Sequence, residues 1–132
     1  MKTIDRMTTL FSALSDPTRL RLLNLMQEGE VCVCFFTEIL GEPQPKVSRH
    51  LAYLRRAGIV TARRDGKWMH YGIAQPTDEA VSRILDDVRD WLANDATMKR
   101  DRVRLKKVCC SPSLPASLQG APLPIGIGIP SS

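Results

Sequence analysis

Gln44-Pro45-Lys46-Val47-Ser48-Arg49-His50-Leu51-Ala52-Tyr53-Leu54-Arg55-Arg56-Ala57-Gly58 decides the fold of this 132-residue chain. Pro43 and Pro45 cannot occupy a helix interior but suit its first turn, so a helix begins between Gln44 and Lys46. Val47, Leu51, Leu54 and Ala57 recur at helical spacing and form one inward stripe. Gly58 supplies the left-handed residue that stops the helix. With that stripe buried, Gln44, Lys46, Ser48, Arg49 and His50 are left at the start of the helix to face outward. Gln can bond adenine bidentately, Lys and Arg can reach guanine or phosphate, and Ser serves either. The pattern is that of a recognition helix lying in a DNA major groove.

On the N-terminal side, Met7, Leu10, Phe11 and Leu14 mark a first amphipathic helix. Asp16 as N-cap and Pro17 at the first helical position open a second, which buries Leu20, Leu22, Leu23 and Met26 and stops near Gly29. A third, short helix is expected from about Val33 to Leu40, closed by Gly41. On the C-terminal side, Ile59 to Arg64 and Lys67 to Ile73 are β-prone runs joined by Asp65-Gly66, a hairpin signal. Arg63, Arg64 and Lys67 flank its tip, placed to meet backbone phosphate or an adjacent minor groove. Gln75-Pro76-Thr77-Asp78 then starts a long helix bearing Val81, Ile84, Leu85, Val88, Trp91 and Leu92. The expected fold is mainly α with a β-hairpin wing, a winged helix-turn-helix. The apolar stripes of the first and last helices predict a homodimer.

Three segments follow: a DNA-binding and dimerisation domain over 1–97, a basic extension with a cysteine pair over 98–110, and a disordered Pro/Gly/Ser-rich tail over 111–132. The net charge is +5. Between Pro43 and Tyr71 seven cations face the single anion Asp65, so this stretch carries the whole excess. Such concentration is the footprint of phosphate binding. A second basic run, Lys99, Arg100, Arg102, Arg104, Lys106 and Lys107, reads as a solvated helix end or an auxiliary phosphate contact.

No apolar run has the length of a signal peptide or a membrane span, so a cytoplasmic protein without membrane contact is expected. In a reducing cytosol, Cys32, Cys34, Cys109 and Cys110 point to metal binding or redox chemistry rather than structural disulfides. Thiolates without a neighbouring histidine in sequence select soft ions. On a regular helix Cys32 and Cys34 would stand roughly 200° apart, so gripping one ion would require the helix start to distort.

Asp16-Pro17-Thr18-Arg19-Leu20, Cys32-Val33-Cys34, Ser48-Arg49-His50-Leu51 with Leu54 and Ala57-Gly58-Ile59-Val60, and Arg64-Asp65-Gly66-Lys67 closely resemble the ArsR/SmtB family of metal-sensing winged-helix repressors. The resemblance covers about residues 7–95 and is nearest to the arsenic-responsive members. It implies a homodimer on a pseudo-palindromic operator, released when As(III) or Sb(III) binds cysteine thiolates. Arsenic sensors of the family often carry a third cysteine where this chain has Thr37. A missing sulfur would then come from Cys109 or Cys110, of the same or the partner chain, or the inducer would be an organic arsenical needing only two. The family's other metal site uses His and carboxylates on the last helix; Asp86, Asp87 and Asp90 are present here without a His.

Two other functions fit parts of the pattern. A repressor answering cadmium, lead or thiol oxidation keeps the DNA reading and changes the signal. A thiol oxidoreductase would leave the basic helix and hairpin without a role, and Cys-x-x-Cys is absent. The chain is expected not to be an enzyme.

Overall fold

The computed structural model describes residues 2–109 and Pro122. Helices α1 (Thr3–Leu14) and α2 (Pro17–Leu25) are followed by a two-residue strand β1 (Val31–Cys32) and helices α3 (Val33–Leu40) and α4 (Gln44–Arg56). The hairpin β2 (Val60–Asp65) and β3 (Trp68–Ile73) leads to helices α5 (Glu79–Asn94) and α6 (Ala96–Cys109). This is a winged helix-turn-helix with a three-stranded antiparallel sheet ordered β1-β3-β2. The tail expected over 111–132 lies outside the described residues, Pro122 apart.

Local chemistry sets most of these boundaries. Asp16 accepts the Arg19 N–H at 3.1 Å, and Pro17 occupies the first turn of α2. The Asp78 carboxylate accepts N–H bonds from Ala80 and Val81, which hold it below the usual carboxylate range. Gly41 closes α3 at φ 66°, a left-handed conformation that costs glycine little. The hairpin pairs Asp65 with Trp68, so its loop is Gly66-Lys67, one residue later than Asp65-Gly66. The strand register puts Asp65 inside the ladder, and Gly66 takes the positive φ of 61° that the tight turn needs.

The core joins Leu22, Leu23 and Leu25 of α2, Phe35, Phe36 and Ile39 of α3, and Val47, Leu51 and Leu54 of α4. Ile59, Val60, Leu85 and Leu105 extend it. Two features depart from the sequence reading. Val31 and Cys32 form a third strand on the hairpin, pairing with Tyr71 and His70. The basic run of residues 99–107 lies on a helix docked on α2 through Asp101 and Leu105, while Lys99, Arg100, Arg104, Lys106 and Lys107 remain exposed. Leu105 is 1% exposed, and Asp101 takes a two-pronged bond from Arg21 at 2.9 and 3.3 Å. Arg102 donates to the Leu92 and Ala93 carbonyls and to Asn24 Oδ1, while Arg104 donates to the Ile39 carbonyl at 2.8 Å. Two arginines therefore satisfy the orphan carbonyls at the ends of α5 and α3.

Leu105→Ala should lower stability to urea by about 2–4 kcal/mol, as expected for emptying a packed site. A loss below roughly 0.5 kcal/mol would mean that α6 is not docked in solution.

Candidate nucleic-acid interface and thiol site

Val47, Leu51 and Leu54 are fully buried and fix the rotation of α4. On its other side Gln44 and Arg49 are exposed, and Lys46, Ser48 and His50 are half-buried. Lys46 pairs with Glu42 at 3.2 Å. His50 turns towards the α1–α2 corner, where its Nδ1 lies 3.4 Å from Arg19 Nη1 and 3.6 Å from Asp16 Oδ2. Arg19 also donates to the Ser12 and Ala13 carbonyls, both at 2.9 Å, and lies 4.1 Å over the Tyr53 ring. Arg19 thus ties the end of α1 to the recognition helix through His50 and Tyr53.

Arg19, Lys46, Arg49, His50, Tyr53 and Arg56 line one shallow basin. Arg19, Tyr53 and Arg56 were not among the expected DNA-contacting residues. Arg49, Tyr53 and Arg56 follow Lys46 at i+3, i+7 and i+10, so helical spacing places all four on one face. Arg19 joins them only because α2 packs against α4. At the wing, Arg64 and Lys67 stand exposed near the tip, with Lys67 5.1 Å from the Trp68 ring centre. Arg63 is held by Glu30, with Nη2 and Nε donating to Oε1 at 2.9 and 3.0 Å.

The thiols depart most from expectation. Cys32 has extended backbone (φ −70°, ψ 142°) as the N-cap of α3, and only Cys34 is helical. Their sulfurs are 3.2 Å apart, not on opposite faces, and no helix distortion is needed to bring them together. The reason is that the helix begins between the two cysteines, so the regular 100°-per-residue rotation does not apply to Cys32. Both are free thiols; Cys32 is buried and Cys34 partly open. The Cys34 S–H donates to the Cys32 sulfur and draws its pKa down to about 6 against the opposing effect of burial. Backbone N–H groups at the mouth of α3 and nearby His70 act in the same direction. The same hydrogen bond, with burial, pushes Cys34 well above the ordinary thiol range. The hydrogen bond therefore favours the negative charge on Cys32 and the proton on Cys34 when the pair ionises.

His70 corrects the reading that no histidine is near. It is 2% exposed and stands directly opposite Cys32 in the β1–β3 ladder, a pairing visible only once β1 exists. Its Nε2 lacks a hydrogen bond, the closest carboxylate being Asp65 at 3.6 Å. Thr37 spends its hydroxyl on the Cys34 carbonyl at 2.8 Å. Among the described residues no set of three His, Cys, Asp or Glu side chains is arranged to hold a metal ion. Cys109 is the last residue of α6, and Cys110 lies outside the described residues. Three residues before Cys109, Lys106 pairs at 3.8 Å with Glu28, which precedes Cys32 by four. Asp86, Asp87 and Asp90 are exposed on α5.

Comparison with known proteins bears on the fold and the family. The family model described as "Bacterial regulatory protein, arsR family" matches residues 16–62. The chain is 44% identical over 92 residues to an arsenic resistance transcriptional regulator of Pseudomonas putida, covering 66% of this chain and 72% of that protein. It is 43% identical over 79 residues to the arsenical resistance operon repressor of Escherichia coli, covering 59% and 68%. Among solved structures it resembles a homodimeric winged helix-turn-helix DNA-binding domain of Mycobacterium bovis, a possible ArsR-family regulator. That match has a TM-score of 0.57 at 30% identity, covering 68% of this chain and 81% of that one.

Removing the Cys34 S–H should release Cys32 from its depressed range. In wild type, thiolate ultraviolet absorbance should be lost as pH falls through about 6. In Cys34→Ala the same transition should move up towards the ordinary value of about 8.5. Coincident titrations would mean that the two sulfurs do not share a proton.

Proposed function

The chain belongs to the arsR family of bacterial regulatory proteins, and on that premise we propose that it is a homodimeric repressor released from operator DNA by trivalent arsenic or antimony at Cys32 and Cys34. The family places it among DNA-binding transcriptional regulators rather than enzymes. The observation that carries the inducer reading is the sulfur–sulfur distance of 3.2 Å at the junction of β1 and α3. Thiolates are the ligands of choice for soft, thiophilic centres. Trivalent arsenic arrives with As–OH bonds and exchanges two of them for As–S bonds to Cys32 and Cys34, with no change of oxidation state. Each departing hydroxyl leaves as water, taking the proton of the thiol that replaces it, or one from solvent where that sulfur is already ionised. With both sulfurs bonded to one centre, a covalent clamp replaces the hydrogen bond and fixes the first turn of α3 against β1. Because α3 packs on α4, a shift of that turn changes the pose of the recognition helix.

Two sulfurs suffice for a monosubstituted arsenical, and inorganic arsenite takes a third. Cys109 and Cys110 are the candidates for that ligand. The Lys106–Glu28 pair supports this by bringing the last turns of α6 beside the loop that leads to Cys32 in the same protomer. DNA contact is assigned to Gln44, Lys46, Ser48, Arg49 and His50 on α4 and to Arg63, Arg64 and Lys67 on the wing. Arg19, Tyr53 and Arg56 extend the same surface. Among the described residues no helix is long and apolar enough to cross a membrane.

Cys32→Ser and Cys34→Ser should retain operator affinity, measured by fluorescence anisotropy on DNA selected from random sequence. Both should lose the dissociation that micromolar arsenite causes in wild type. Normal release of the double variant would falsify the thiol assignment, and preferential release by cadmium, lead or peroxide would favour the other signals.

Dimerisation is supported by an apolar groove between α1, α2 and α5, lined by Phe11, Leu14, Leu20, Ile84, Val88 and Trp91. Trp91 is 80% exposed and Phe11 47% exposed in the single chain, and with the groove they form a contiguous apolar patch of the kind that marks an interface. Trp91→Glu should shift the protein to monomer in sedimentation velocity and weaken operator binding at least tenfold, since one half-site is then lost. A variant that remains dimeric would place the interface elsewhere.

A further inference from the structure

Cys32, His70 and Arg63 lie in one row across the sheet. Cys32 pairs with His70 in the β1–β3 ladder, and His70 pairs with Arg63 in the β3–β2 ladder. The thiol pair at one edge and a wing arginine at the other are therefore separated by a single residue. A second connection runs beside the first. Glu30 precedes Cys32 by two residues, the spacing that puts side chains on the same side of a strand. Its side chain crosses the sheet over Gly72 and ends against the Arg63 guanidinium. Gly72 is what leaves the path open, because a Cβ there would stand 3.2 Å from Glu30 Cγ.

We propose that Glu30 is a positioning residue that competes with operator phosphate for Arg63, and that this contact carries the state of the thiol pair into the wing. The inference rests on the DNA-binding and inducer assignments made above. A guanidinium has five N–H donors, and its Nε/Nη2 edge takes carboxylate or phosphate in bidentate fashion. Glu30 occupies that edge of Arg63 and neutralises its charge, which weakens its hold on phosphate. The competitor is anchored to the sensor: Val31 alone separates Glu30 from Cys32, and Val31 and Cys32 are both fixed in the ladder. Clamping Cys32 to Cys34 sets the position of β1 against α3, and with it the reach of Glu30. The thiol-loaded protein keeps Arg63 on Glu30 and loses a phosphate contact on each wing. The DNA-bound protein gives Arg63 to the backbone and leaves Glu30 to solvent.

The test is a double-mutant cycle of wild type, Glu30→Gln, Arg63→Ala and the double variant, read by anisotropy on operator DNA over a salt series without inducer. Glu30→Gln should tighten binding about two- to fivefold, the scale of an exposed ion pair. Because Arg63 reaches phosphate in both complexes, the salt slope should stay near that of wild type, whereas Arg63→Ala should lower it by about one phosphate contact per wing. In the Arg63→Ala background the same change should have little effect. Equal tightening in both backgrounds would reduce Glu30 to general charge repulsion, and weaker binding of Glu30→Gln would make it a support for the wing; either result overturns the proposal. Matching thermal melts exclude misfolding as the cause. With arsenite added, the fold-change in affinity should be smaller for Glu30→Gln than for wild type, and an unchanged response would overturn the link to the thiols. If wild type does not respond to arsenite, it is the inducer assignment that fails, while the salt series still decides whether Glu30 and phosphate compete.

Discussion

The packing of α3 on α4 is the contact on which the other features depend. Phe35, Phe36 and Ile39 from one helix and Val47, Leu51 and Leu54 from the other are buried in the same core. Each such side chain contributes about 1.5–3 kcal/mol through burial. Close-packed interiors transmit displacement rather than absorb it. Since α3 has only eight residues, its first turn cannot move independently of the face that positions the recognition helix. The thiol pair occupies that first turn. Its place gives a small chemical event a mechanical outlet.

Charge in this protein divides into two uses that composition cannot separate. Arg19, Arg21, Arg89, Arg102 and Arg104 direct their guanidinium groups at carbonyls, amides or a carboxylate within the fold. They hold helix ends together. Arg49, Arg56 and Arg64 are exposed on the α4 and wing surface, the arrangement suited to phosphate. Arg63 belongs to both groups, being exposed on the wing yet engaged by Glu30. That dual position is what a switch between internal and external partners requires.

The thiol pair shows how a local change of conformation alters chemistry. With Cys32 extended and Cys34 helical, two residues that a continuous helix would separate share a proton. The hydrogen bond thereby favours Cys32 as the thiolate and Cys34 as its donor. Burial alone would have raised both thiols and made them inert. The hydrogen bond between them reverses that for Cys32.

The positions of α1 to α5, the cap at Asp16, the stop at Gly41, the buried stripe of α4 and the two hairpin strands were legible in the chain. They depend on side-chain periodicity and backbone preference within a few residues, where the physics is local. The arsR-family pattern was legible for the same reason, being a set of short motifs in order. Only tertiary structure decided that Val31 and Cys32 form a strand, because a two-residue strand has no periodicity and exists through its partner β3. It alone brought His70 opposite Cys32, docked α6 on α2, and sent Glu30 over Gly72 to Arg63. These are contacts between residues tens of positions apart, and their partners are chosen by packing rather than by neighbours in the chain.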